Sequence, residues 1–327
     1  MKQCTVPVAM VFFNRPEQFK QIFEEVRKAR PTKLFLIQDG ARDNHPTDEA
    51  QIQACRQIAE KVDWECEVHR NYSDVNLGCG GRVSSGITWA FTYVDRLIIF
   101  EDDTLPSQSW FSFCEEILER FKSDERIGMI TGVNHLGQYN KHKSSYFFAT
   151  CGSIAGWATW KRVWDDYDYS LEDVDDDYLC AMLEKTYYPR WRTKQFMTLM
   201  KNLRRMAQTG TKRNSWSGPW GFMSWCNSRL IVIPNKNLIT NIGLTPEATN
   251  GGTSTAILPK KLQSIFNANR YEMEFPLVHP KFVIEDRIYN DELQKVMTGG
   301  ANPFSRAARR FESIIRIILV RYLHLLH

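Results

Sequence analysis

Three consecutive acids, Glu101-Asp102-Asp103, follow the apolar run Leu97-Ile98-Ile99-Phe100. Like charges crowded at the lip of a buried strand are unfavourable unless a cation compensates them. A ligand set made only of oxygens suits a hard divalent ion, Mg2+ or Mn2+, with positions left open for phosphate oxygens. Such an ion would neutralise a departing diphosphate, which is catalysis by charge stabilisation. Polar residues end two further apolar runs: Asn14-Arg15 follows residues 6–13, and Asp39 follows Lys33–Gln38. Each alone has an ordinary explanation. Asn14 could cap a helix, Asp39-Gly40 could be a turn, and an acidic cluster is usually solvated surface. Three at equivalent strand ends favour a site. Residues 76–81 (NLGCGG) place glycines at 78, 80 and 81. They lack a Walker Lys-Ser/Thr and do not form G-x-G-x-x-G after a strand, so the usual nucleotide-hydrolase and dinucleotide signatures are excluded. A glycine-rich turn opening a helix still lets a nucleotide approach backbone, which makes Asn76 and Gly78 candidate contacts.

The elements that must position these residues alternate. Residues 6–13 read as a buried strand. Pro16 then stands where a first helical residue would, and Phe19, Ile22, Phe23 and Val26 follow at helical spacing. Residues 33–38 form a second strand, 48–62 a second helix, 66–72 a third extended segment, 83–93 a third helix and 96–100 a fourth strand. This βαβα order predicts an α/β fold with a mixed, mostly parallel central sheet covered on both faces. Ligands then sit outside the carboxyl ends of the strands, where Asn14, Arg15, Asp39 and residues 101–103 all fall.

The second half is aromatic. Seven of the ten tryptophans lie between Trp157 and Trp225. Core packing and a platform for the apolar face of a sugar ring are both open readings. Trp157 and Trp216, in Gly- and Ser-rich contexts, are better candidates for site walls than Trp164. Hydrophobic residues make up 43% and charged residues 24%, which excludes a disordered chain or a bundle of membrane spans. The net charge of +4 is too small for a dedicated nucleic-acid binder, and it is carried entirely by residues 303–327, with Arg306, Arg309, Arg310, Arg316 and Arg321 against Glu312. There the apolar residues share one helical face. The longest apolar run, residues 317–320, is far short of the roughly 20 residues a bilayer span needs. A basic amphipathic helix at an anionic membrane surface is the expectation. The eight cysteines include no C-x-x-C pair, and residues 6–13 do not resemble a signal peptide. The expected location is cytoplasmic, peripheral on the inner face of the membrane.

Residues 6–16, LIQDG, DVNLGC, IIFEDDTLPSQSWFSFC, GWATWKRVW, NLITNIG and MEFPLVHP together resemble bacterial glycosyltransferases of the GT-A fold, a family 2-like subgroup distantly similar to N-acetylglucosaminyltransferase I. The likeness runs from about residue 5 to 290, and it is specific as an ordered set of motifs; E-D-D alone is not. It implies a GT-A domain over 1–302, with a nucleotide-sugar half (1–103) and an acceptor-side half (104–302), followed by the 303–327 helix. It also implies a nucleotide-sugar donor, a divalent metal, inversion at the anomeric carbon, and a glycan or lipid-linked acceptor in surface polysaccharide assembly. The sugar moved would be a hexose or an N-acetylhexosamine. Carried over to this chain, Asp103 matches the metal ligand, Glu101 and Asp102 the contacts to ribose and donor sugar, and Asp39 the acid that reads the base. Arg15 matches the loop that approaches the nucleotide, and Trp157 after Gly156 matches the acceptor-side segment.

Two departures bear on catalysis. Where the subgroup has an Asp in a pattern like T-W-D-Y-Q-W, this chain has Ser217, which cannot serve as a carboxylate base. The remaining candidates for the base are Glu247, which follows NIG, and Asp165 and Asp166, which follow GWATW on a different helix. Where the subgroup has A-T-H, this chain has Ala248-Thr249-Asn250. Two rival readings therefore stand beside a transferase: a catalytically impaired relative that binds nucleotide-sugar or glycan, and a sugar nucleotidyltransferase. The latter is disfavoured because no Gly-rich, Arg/Lys-containing loop follows the first strand.

Overall fold

The computed structural model describes residues 3–243, 259, 262–263, 268–298 and 302–321. The first half alternates as expected: β1 (Val8–Phe12), α1 (Pro16–Ala29), β2 (Lys33–Gln38), α2 (Asp48–Ala59), β3 (Glu67–Tyr72), α3 (Gly78–Ala90) and β4 (Arg96–Glu101). Pro16 opens α1, the apolar positions 19, 22, 23 and 26 are buried, and the helix stops where Arg30 turns left-handed at φ 51°. The helix expected from residue 83 begins five residues earlier, so the glycine run is its first turn rather than a separate loop. The helix expected to reach residue 62 ends at Ala59.

The second half adds β5 (Thr104–Pro106), α4 (Gln108–Arg120), β6 (Ile127–Thr131), β7 (Tyr146–Ala149), β8 (Trp157–Trp160), α5 (Lys161–Trp164), α6 (Asp177–Thr186), α7 (Arg190–Gln208), α8 (Ser217–Cys226), β9 (Leu230–Pro234) and β10 (Ile239–Asn241). Later in the chain the described residues include helices α9 (Arg287–Thr298) and α10 (Pro303–Arg321). The central sheet has eight strands in the order β3-β2-β1-β4-β8-β6-β9-β7. It is mixed and mostly parallel, Rossmann-like: β8 runs against both β4 and β6, and β7 runs against β9, while the other paired strands are parallel.

Two facts of this topology position the site. Strand order leads outward from β1 through β2 to β3, then returns to put β4 on the other side of β1. The crossovers through α1 and α2 share one face, and α3 takes the opposite face, as right-handed connections require. On that face Gly86 of α3 leaves room for Ile37, and Phe35 meets Trp89 edge-on at 5.6 Å. The gap between the ends of β1 and β4 is therefore the topological switch point. The second fact is a small ribbon. β5 pairs antiparallel with β10, Thr104 opposite Asn241, which folds a late segment of the chain against the end of β4.

Helices α6, α7 and α8 build their own core around Leu171, Met197, Met200, Leu203 and Phe222. Their connecting loop returns to the first half. The Lys212 ammonium donates to the Asn76 carbonyl at 3.0 Å. Gly80, in the first turn of α3, lets the Arg213 carbonyl and the Tyr169 hydroxyl approach so closely that a Cβ there would collide with both.

Candidate functional site

The acidic triplet is the turn between β4 and β5. The Thr104 hydroxyl closes it, donating to the Glu101 carbonyl at 2.9 Å and accepting from the Glu101 amide at 3.2 Å. The Asp102 carboxylate reaches across the switch point to the end of β1. It accepts the Phe13 amide at 3.1 Å and lies 3.6 Å from the Arg15 guanidinium. Asp103 is braced from the other side, where the Asn241 side chain hydrogen-bonds to it and Gly243 packs directly on its side chain. A residue with a Cβ at 243 would strike Asp103, so the glycine of the NIG motif serves the E-D-D motif.

The electrostatics are lopsided. Burial, followed by the neighbouring Asp103 and Asp102 charges, pushes the Glu101 carboxyl well above the usual range. Burial raises Asp102 to about 6, against the pull of Arg15, and burial also raises Asp103. Three carboxyls thus share Arg15 as the positive charge acting on all of them.

Asp39 lies on the same rim and is 5% exposed. Its carboxylate accepts the Leu77 amide at 2.9 Å, the Gly78 amide at 2.9 Å and its neighbour Gly40 at 3.0 Å. It is therefore the cap of α3, satisfying amides that the helix start leaves over. Burial raises it, and the three amides and Arg82 partly hold it down. Asn76 fastens the same loop by donating to the Gly40 carbonyl at 2.8 Å. Gly78 takes φ +74°, a conformation that favours glycine. Cys79 joins the two acidic groups. Its thiol is pushed up to about 12 by burial, then by Glu101, Asp102, Asp103 and Asp39, so it remains protonated among them. Asn14 turns away from the triplet. Its amide donates to Asp48 at 2.8 Å and to Gln51 at 3.2 Å, and Asp48 is clasped by two 2.8 Å bonds from Arg42.

Arg15, Asp39, Asn76, Gly78, Glu101, Asp102 and Asp103 are brought to one rim, as expected. Other candidates are not. β8 is antiparallel to β4, pairing Trp160 with Arg96 and Trp157 with Ile99. Residues that follow β8 therefore emerge at the opposite rim. Asp165 is ion-paired there with Lys161 at 2.6 Å, and Asp166 with Arg229. Neither is placed to act as a base beside the triplet. Trp157 and Trp216 are 0% and 2% exposed and stack on each other with centroids 5.4 Å apart. They are core side chains and present no free face to a sugar. Ser217 is the first residue of α8, half-buried, next to the buried Trp216. Glu247 and Ala248-Thr249-Asn250 lie outside the described residues. Sequence reasoning missed Asn241 and Gly243, although the NIG motif marked them. It also missed Cys79, Tyr169 and Arg213, for which the glycine at 80 was the signal.

Among the described residues no group of three His, Cys, Asp or Glu side chains is arranged as a metal cage. The donor set still fits a divalent ion held by one carboxylate with phosphate oxygens completing its shell, since Mg2+ is commonly bound in that way. Among the described residues, the excess of carboxyls over guanidinium at the rim is the observation that supports the fit.

No family model matches the chain, and no curated protein matches it in sequence. Among solved structures it is similar to a UDP-glucose pyrophosphorylase complexed with UDP-glucose, at 10% identity over 50% of this chain and 79% of that one, with a TM-score of 0.29. It is also similar to the inositol-1-phosphate CTP transferase from T. maritima, at 12% identity over 81% of this chain and 96% of that one, with a TM-score of 0.34. Likenesses this loose carry no argument about the activity of this chain.

Proposed function

We propose that this chain is a glycosyltransferase that takes a sugar from a nucleotide-diphosphate donor and passes it, with inversion, to a glycan or lipid-linked acceptor. The observation that carries this reading is the carboxyl cluster at the switch point of β1 and β4, where among the described residues Glu101, Asp102 and Asp103 share Arg15 and where an α/β sheet receives a ligand. Asp103 would hold a Mn2+ or Mg2+ ion, whose chemistry is to neutralise charge on the leaving diphosphate. Glu101 and Asp102 would accept hydrogen bonds from ribose and sugar hydroxyls, with Arg15 fixing the orientation of Asp102. Asp39 holds the start of α3 and its glycines in place, so backbone rather than bulky side chains would border the donor. A lipid-linked acceptor would bring the protein to a membrane face.

The second reading, a relative that binds nucleotide-sugar without transferring it, is favoured by Ser217, a residue that cannot act as a carboxylate base. Incubation with a panel of nucleotide-sugars and a glycan acceptor separates the readings. Metal-dependent release of nucleoside diphosphate supports transfer. Donor binding without release supports the binding relative. Formation of nucleotide-sugar from nucleoside triphosphate and sugar phosphate, with release of pyrophosphate, would make the chain a nucleotidyltransferase and overturn both.

A further inference from the structure

Helix α10 carries its apolar side outward. Phe304 is 83% exposed, Phe311 64%, Ile314 50%, Ile315 40% and Ile318 45%. At 100° per residue these five form one stripe. Arg309, Glu312 and Arg316 occupy the inward side. The Arg316 side chain keeps 13% exposure and pairs with Glu312 at 3.1 Å, and Arg309 donates to the Val296 carbonyl of α9. A surface helix of a globular protein normally shows the reverse, with its apolar stripe against the core. A contiguous apolar stripe left in water marks an interaction surface. It is not a membrane span, because among the described residues no helix is long and apolar enough to cross a bilayer.

We propose that α10 lies in the headgroup region of an anionic bilayer, with Phe304, Phe311, Ile314, Ile315 and Ile318 inserted among the acyl chains. Charge selects lipid over a second copy of this chain. Residues 303–327 hold five arginines and one acid, the whole positive excess of the protein. Two such segments laid face to face would bring like charges together, whereas lipid phosphates supply the complement. Arg310 is exposed at the border of the apolar stripe, one turn before Ile314, where it can meet a lipid phosphate. The assignment does not depend on the chemistry at the acidic rim.

The test is co-sedimentation of the full chain with phosphatidylcholine vesicles, with and without phosphatidylglycerol. The protein should pellet with the anionic vesicles and release as salt rises. The double variant Phe311→Gln/Ile318→Gln should bind them about tenfold more weakly or worse, with an unchanged melting temperature because both side chains are exposed. Arg310→Gln should weaken binding less and shallow its salt dependence. The proposal falls if wild type stays in the supernatant, if it binds neutral and anionic vesicles equally, or if the double variant binds as well as wild type. It falls equally if wild type is a dimer that the double variant converts to monomer, since a second copy would then cover the stripe. The wild-type comparison of the two vesicle types decides the matter even if the double variant does not fold.

Discussion

The two rims of the central sheet are both rich in charge, and they differ in how that charge is balanced. On the rim opposite the triplet, Arg229 pairs with Asp166, and Lys161 holds Asp165 at 2.6 Å. Arg162 reaches Glu125 at 3.2 Å and donates to the carbonyls of Phe121, Lys122, Asp124 and Ile127. Cations and acceptors are matched there, so the cluster works as a fastener between β6, β8 and β9. On the other rim, Glu101, Asp102 and Asp103 crowd around Arg15 and are all raised. A protein rarely keeps such an imbalance unless something binds there. The contrast shows why clusters of acids must be read with their partners: Asp165-Asp166 and Asp102-Asp103 look alike in sequence and differ in their counter-charges.

The sharpest way to break this contrast is to remove one acid from each rim. Asp103→Asn should lower metal-dependent donor turnover by about a hundredfold, and Asp166→Asn should leave turnover close to wild type. Equal effects of the two substitutions on initial rates would dissolve the distinction. A smaller effect concerns the seam that shapes the acidic rim. Gly80→Ala forces its new methyl against the Arg213 carbonyl and the Tyr169 hydroxyl, and should cost about 1–3 kcal/mol in urea unfolding. A free energy unchanged within error would show that the close approach is not structural.

Asp48 offers a third measure, because it is a rim acid with its counter-charge in place. Arg42 holds its carboxyl down at about 2, against an ordinary value of 3.8. The depressed value means that its stabilisation is present in full above the ordinary range and is lost as pH falls through about 2. At about 1.4 kcal/mol per unit, the loss is about 2 kcal/mol between pH 5 and pH 1. Asp48→Asn should flatten that part of the acid-unfolding curve, and an unchanged curve would contradict the pairing. Smallest is Asp165→Asn. It breaks a half-exposed pair and should change stability by less than about 1 kcal/mol by thermal melting.

Much of the fold was legible because buried parallel strands read as apolar runs, and these runs end abruptly in polar residues. The E-D-D turn, Asp39 and Arg15 could be placed on one rim by counting strands. Strand direction was not legible. GWATW has the same composition whichever way it runs, yet the reversal of β8 sends Asp165 and Asp166 to the far rim. Residue type also failed for Trp157 and Trp216. A tryptophan shows its size in sequence, but whether a face is free depends on α8, which arrives about sixty residues later and covers it. Asp39 was legible as a site residue and not as a cap, because the amides it accepts lie 38 and 39 residues downstream.

The β5–β10 ribbon also constrains the order in which the protein can assemble. Its partners, Thr104 and Asn241, are separated by 137 residues. Within the first hundred residues the β1–β2 and β2–β3 pairs join segments 26 and 34 residues apart, contacts of the kind that form early as a chain leaves the ribosome, whereas β1 and β4 are joined across 90. The acidic turn cannot be completed at that stage. Until Asn241 and Gly243 arrive, Asp103 lacks the side-chain hydrogen bond and the close backbone that brace it in the folded protein. The acidic turn therefore waits on a segment near residue 240 that must be made and folded back before Asp103 is held in place.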